Sequence, residues 1–204
     1  MSTAVSPKAS MVLPSLKATV LVEDQVSKPN NKLKLGLATW GVFGVLSILA
    51  NAIKRLIPIA LQIIEKKGLT PFHWTILGVW TIYMAYTEGY SAFQLKFAPL
   101  VVKRALTLSD NMNPLNIILA GPYSMGLFGA TRKRMITSWA ITGGVFLLVA
   151  IVKKLPYPWR SIIDTGVVAG LTYGTISIAW LFIRAVFGVV PNVDPCLPEG
   201  KIKK

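Results

Sequence analysis

The chain has 204 residues, of which 53% are hydrophobic and only 15% charged, with a mean hydropathy of +0.56; an ordinary soluble domain carries about 25% charged residues, so lipid is the solvent this composition requires. Twenty-two Lys and Arg against eight Asp and Glu give a net charge of +14, but no basic stretch carries interleaved aromatics on a soluble module, which argues against nucleic acid as a partner. With Cys196 the single cysteine and His73 the single histidine, neither an intrachain disulfide framework nor a zinc site can be assembled, and neither metal nor cofactor is expected.

Residues 1–31 are rich in Ser, Thr, Ala, Lys and Pro, with Glu23 the first acidic residue, and read as a disordered leader. An acid-free, hydroxyl-rich start resembles an organelle transit peptide, although the first arginine is Arg55; an organelle membrane and a plain solvated tail both stay open. A helical transmembrane domain follows over residues 32–187, then a C-terminal tail over residues 188–204.

The first predicted span is Leu35 to Ile53, uncharged and bracketed by Lys32 and Lys34 before it and Lys54 and Arg55 after it. A hydrocarbon layer of about 30 Å takes roughly 20 apolar residues, which this run supplies. Leu56 to Ile64 is too short to cross again and is expected to lie at the interface. A second span opens at Thr70 and Pro71, a helix cap followed by proline at the first helical position, and ends at Glu88, Gly89 and Tyr90. Trp74, Trp80, Tyr83 and Tyr86 suit the aromatic belts of a spanning helix. Ala92 to Leu106 is interrupted by Lys96, Pro99, Lys103 and Arg104, a pattern that predicts a helix in the headgroup plane. Asn111 to Thr131 is uncharged but broken by Gly121 and Pro122, and admits either a fifth span or a re-entrant helix. Met135 to Val152 and Ile162 to Ile183 are the last spans, joined by a loop containing Tyr157, Pro158, Trp159 and Arg160.

Charge bias chooses between the two counts. Four spans place fifteen Lys and Arg on the side of the termini and the central region against seven opposite, whereas five spans place eleven on each side. The positive-inside rule therefore favours four, with both termini inside. The predicted fold is an all-α membrane protein of about four transmembrane helices with added interfacial or re-entrant helices.

Gly166, Gly170 and Gly174 recur every fourth residue along one face of the last span. Lipid tails supply no hydrophobic force between helices, so a strip of small residues that lets backbones approach is a packing surface, within the chain or between two copies. Glu88 sits at a span edge that the four-span topology shares with Arg104, Arg132, Lys133, Arg134 and Arg184. An ion pair with Arg104, Arg132 or Arg134 is the structural reading, and a ligand or proton-coupling carboxylate is the functional one. Asp164 follows Arg160 by one helical turn, which suits a cap and an ion pair. His73 lies at the same level, which allows an acid–base couple with Asp164, but no nucleophile or third group accompanies them. Arg132, Lys133 and Arg134 anchor the following span and suit anionic phospholipid.

The stretch Glu88-Gly89-Tyr90, Phe93-Gln94, Phe97, Pro99, Val101-Val102 and Arg104-Ala105 resembles a group of bacterial multi-pass membrane proteins. Met125-Gly126, Ala130-Thr131-Arg132, Trp139, Pro158-Trp159-Arg160 and Ile163-Asp164 extend the likeness, which covers roughly Glu88 to Asp164. It implies a shared membrane fold; the group has no established activity, so no catalytic or binding residue is carried over. The long leader departs from the compact bacterial form.

These readings point to a non-enzymatic membrane protein that contacts lipid or takes part in assembly, with another membrane protein or a second copy as partner. A small transporter or channel, with Glu88 as its coupling carboxylate, is the alternative. A lipid-modifying enzyme working through His73, Glu88 or Asp164 is the third.

Overall fold

Backbone amides find no water in hydrocarbon, so an apolar chain of this kind is expected to bond them internally as helices. The computed structural model describes residues 32–66, 69–110 and 113–197, and among these residues every regular element is helical. The leader expected over residues 1–31 and the tail beyond residue 197 lie outside the described residues. In chain order the elements are α1 (Lys32–Glu65), α2 (Pro71–Met84), a π-helical segment (Ala85–Phe97), α3 (Ala98–Thr107), a 3-10 turn (Leu108–Asp110), α4 (Pro114–Ile118), α5 (Ala120–Ser124), α6 (Arg132–Val152) and α7 (Trp159–Val186). Three of them, α1, α6 and α7, are long and apolar enough to cross a membrane.

Two predicted boundaries move. The pair Lys54 and Arg55 does not end the first helix: α1 continues through Pro58 to Glu65, so Leu56 to Ile64 is part of the same rod and not a separate surface helix. Lys and Arg are good helix formers and carry no stop signal of their own. The second helix likewise does not stop at Tyr90. From Pro71 to Thr107 the backbone stays helical, passing from α through π to α, so Ala92 to Leu106 does not form a separate helix in the headgroup plane. It is instead packed inside, with Ala98, Leu100, Val101, Val102, Arg104 and Ala105 all buried. Pro99 fits because it occupies the first turn of α3, just past the change from π to α pairing.

The contacts fix the helix directions. Gly166 of α7 lies against Trp80 and Met84, Gly170 against Met84 and Glu88, and Gly174 against Phe93, so α7 runs parallel to the Pro71–Thr107 rod. Helix α1 runs the other way. Its Gly41 abuts Ala105 and Ser124, whereas beyond its far end the Tyr157 hydroxyl donates to the Lys66 carbonyl at 3.1 Å. Between the three, Ala38, Val42, Val45 and Leu49 of α1 form one apolar core with Ala98, Val101, Ala105 and Ile178.

The segment with Gly121 and Pro122 does not form a full-length helix. It folds into the short helices α4 and α5, and Gly121 meets the α1 backbone at Gly44, where a methyl group on Gly44 would stand 3.0 Å from the Gly121 Cα. Helix α6 then leaves this end of the bundle alone. Its only buried residues are Ser138 and Val152, and Ile136, Phe146 and Leu147 are exposed around its circumference.

Candidate functional site

Three constellations emerge, the first around Arg104. This side chain is 0% exposed, and no carboxylate accepts any of its hydrogen bonds among the described residues. A buried guanidinium is tolerable only if its fixed fork of five donors is met. Here backbone oxygen meets four of the five: Nε donates to the Tyr123 carbonyl at 2.8 Å, Nη1 to Pro195 at 2.7 Å, and Nη2 to Phe128 and Gly129 at 3.0 and 3.1 Å. The guanidinium also stacks over the Tyr123 ring, 4.6 Å from its centroid. The fork thus joins α3, the turn after α5 and the C-terminal tail. The Thr131 amide adds a second tie by donating to the Cys196 carbonyl at 2.8 Å.

The turn needs glycine where it tightens. Gly129 has φ +62° and a methyl group there would strike the Tyr123 ring at 2.8 Å, while Gly126 has φ +79° and lies beside Arg134. Arg134 reaches this end of the bundle, its Nε buried without a hydrogen-bond partner among the described residues, as is the Tyr123 hydroxyl. Arg132 and Lys133 stay exposed at the start of α6. Ser138 Oγ donates to the Met125 carbonyl at 3.2 Å and Trp139 Nε1 to that of Leu127 at 3.0 Å, which fixes where α6 departs.

The second constellation is the contact between the π segment and α7. Gly166, Gly170 and Gly174 are all buried. A methyl group at Gly166 would fall 2.5 Å from Trp80 Nε1, one at Gly170 would fall 3.1 Å from the Glu88 Cβ and 3.3 Å from the Met84 carbonyl oxygen, and one at Gly174 would overlap the Phe93 ring. On the other side Gly89 is buried against Tyr173. This glycine strip is therefore occupied within the chain, and Glu88 sits beside it, away from Arg104. Glu88 is exposed and forms no ion pair with Arg104, Arg132 or Arg134, so the structure brings Arg104 and Arg134 to one end of the bundle and leaves the carboxylate elsewhere. Tyr86 and Tyr90 stack 5.7 Å apart on the same segment, and the Tyr173 hydroxyl donates to Gln94 Oε1 at 2.5 Å.

The third constellation lies at the opposite end. Arg160 Nε stands 3.7 Å from Asp164 Oδ2, an ion pair across one turn of α7. His73 is occupied locally, its Nδ1 2.7 Å from Thr70 Oγ1 and accepting from the Thr70 amide at 3.3 Å, with its ring edge-on to Trp159 at 5.7 Å.

Sequence reasoning had no reason to select Tyr123, Gln94, Tyr173 or Pro195. Their partners lie 19, 79 and 91 residues away, beyond the reach of helical periodicity. The one available signal was Gly41 with Gly44 in the first span, a small-residue face that meets α5. Comparison of the chain with protein-family models, with curated proteins and with solved structures finds no match.

Proposed function

We propose that this chain is a non-enzymatic, multi-pass integral membrane protein that serves as an assembly and lipid-contacting component. In this reading α1, the Pro71–Thr107 rod, α6 and α7 are four crossings, and both ends of the helical domain lie on the side of Arg104 and Arg134. The observation that carries the proposal is α6. Near its start Ser138 and Trp139 bond to the preceding turn and at its end Val152 is buried, while Gly143 to Ile151 between them are exposed among the described residues. At Gly143 and Gly144 there is open space where a side chain would go, so a neighbouring helix can approach the backbone closely. Exposed Arg132 and Lys133 are placed for anionic phospholipid headgroups, each contributing about 1 kcal/mol near such a surface. The acid-free leader supports an organelle membrane as the location.

Purification in native-lipid discs, with the mass of the intact particle measured, tests the reading. A protein partner at fixed stoichiometry is expected. A particle holding one copy and lipid alone would overturn it. A small transporter is the second reading, favoured by the exposed Glu88 in a π-helical stretch and by the broken α4–α5 segment. Solute flux in proteoliposomes that vanishes in Glu88→Gln would decide for it.

A further inference from the structure

We infer that a second copy of this chain docks on the cleft between α1 and the Pro71–Thr107 rod, with Arg55 of each copy pairing with Glu88 of the other across a two-fold axis along the membrane normal. The inference rests on the assembly reading and names the partner.

Depth comes first. Glu88 packs level with Gly170 of α7, ten residues and so about 15 Å from Arg160. Arg55 is eleven residues, about 17 Å, from Lys66, whose carbonyl meets Tyr157 at that same end. The guanidinium and the carboxylate therefore stand at one level, well inside an apolar layer about 30 Å thick. Ionisable groups at that depth face a bundle interior or pair with another group. Both of these are exposed, and neither forms an ion pair among the described residues.

Orientation comes next. Along α1, Gly41, Gly44, Ile48, Asn51, Arg55 and Pro58 follow at intervals of three and four and form one stripe. Its first part is covered, Gly41 by Ala105 and Ser124 and Gly44 by Gly121, whereas Ile48, Asn51, Arg55 and Pro58 are all exposed. Arg55 thus points from α1 to the side on which the rod lies. On the rod, Gly89 is buried against Tyr173 and Glu88 lies against Gly170, while Leu171 packs on the core that α1 helps to form. Around α7 the order is Tyr173, Gly170, Leu171, so Glu88 is displaced from Gly89 toward α1. The two charges project from opposite walls of one cleft, with α7 as its floor.

Charge and symmetry then select the occupant. A membrane holds every copy in one orientation, so a two-fold axis along its normal brings Arg55 of one copy to the depth of Glu88 in the other and repeats the pair across the axis. A pair closed within one chain would leave its open side to acyl chains, with guanidinium donors to spare. The second copy covers that side and supplies a second carboxylate. Asn51 adds an exposed amide to the same stripe. Lys54 is exposed at this level too, but lies about 100° further around α1, off the stripe.

The test uses the full-length protein in phosphatidylcholine vesicles, with separate pools labelled at Cys196, the single cysteine, by a donor or an acceptor fluorophore, and energy transfer followed against the protein-to-lipid ratio. Wild type is expected to self-associate. Arg55→Glu leaves each copy two carboxylates and Glu88→Arg leaves it two guanidinium groups, so either variant alone should dimerise at least about tenfold more weakly. A mixture of the two should regain wild-type transfer, because both pairs across the axis are again of opposite charge. Neither a misfolded variant nor a pair within one chain can produce that gain. A wild type that stays monomeric, single reversals without effect, or a mixture that does not recover overturns the inference. So does recovery confined to a chain carrying both reversals, which places the pair within one copy. If native discs hold one copy with a different protein at fixed stoichiometry, this inference fails while the assembly reading stands; if they hold one copy and lipid alone, both fail.

Discussion

Arg104 shows how a charge can be buried in an apolar bundle without an opposite charge. Four carbonyl oxygens from three separate segments converge on one guanidinium, and the planar fork is what matches their directions. A lysine has three donors on one atom and cannot reach them all. Arg104→Lys is therefore expected to release the Pro195 carbonyl and expose the tail around Val193 to protease, a change visible by mass mapping of the cleavage products. Arg104→Leu takes the guanidinium from the Phe128, Gly129 and Pro195 carbonyls, leaving that of Tyr123 its bond from the Gly126 amide, and should cost on the order of 3 kcal/mol, read as a lowered unfolding temperature in detergent by tryptophan fluorescence. The sequence displayed this arginine among Lys96, Pro99 and Lys103, which is why it reads as a surface residue. Periodicity reports which face of a helix is polar, and it is silent about carbonyls that arrive from Tyr123 to Gly129 and from the tail to meet that face.

The helices divide their glycines into two kinds. Those of α7 are filled by neighbours, and those of α6 face open space. Gly170→Ala would press a methyl group against the Met84 carbonyl, a backbone atom that cannot rotate away, and should destabilise the protein by about 1–3 kcal/mol. Gly143→Ala meets nothing within 4 Å and should stabilise the helix by about 0.5–1 kcal/mol. Paired unfolding temperatures in one detergent check both signs, and a loss of stability in Gly143→Ala would show that α6 is packed after all. The repeat at Gly166, Gly170 and Gly174 was visible as a packing surface, but its occupant was not. The occupant is the end of α2 together with the π segment that continues it, whose wider turn has no periodicity that composition can reveal. The same stretch hid the continuity of the Pro71–Thr107 rod, because Glu88, Gly89 and Lys96 look like an ending when α spacing is assumed.

Across the bundle, the proposed four crossings agree with both the charge count and the helix directions. The all-helical class and the apolar lengths of α1, α6 and α7 follow from composition alone, since hydrocarbon leaves backbone amides no other partner. The proposed topology puts Cys196 and Arg132 on one face of the membrane and Lys154 on the other. In sealed vesicles an impermeant maleimide should label Cys196 and, in a Cys196→Ser background, Arg132→Cys from the same side, and Lys154→Cys only from the opposite side. Labelling of all three from one side would refute four crossings. The tie between Arg104 and Pro195 also orders events in time. These residues are 91 apart, so at about 5–20 residues per second the ribosome adds Pro195 on the order of 5–20 s after Arg104. Until then one arm of the guanidinium has no native acceptor, and the arrival of Pro195 works as a latch on the end of the bundle where Arg104 sits.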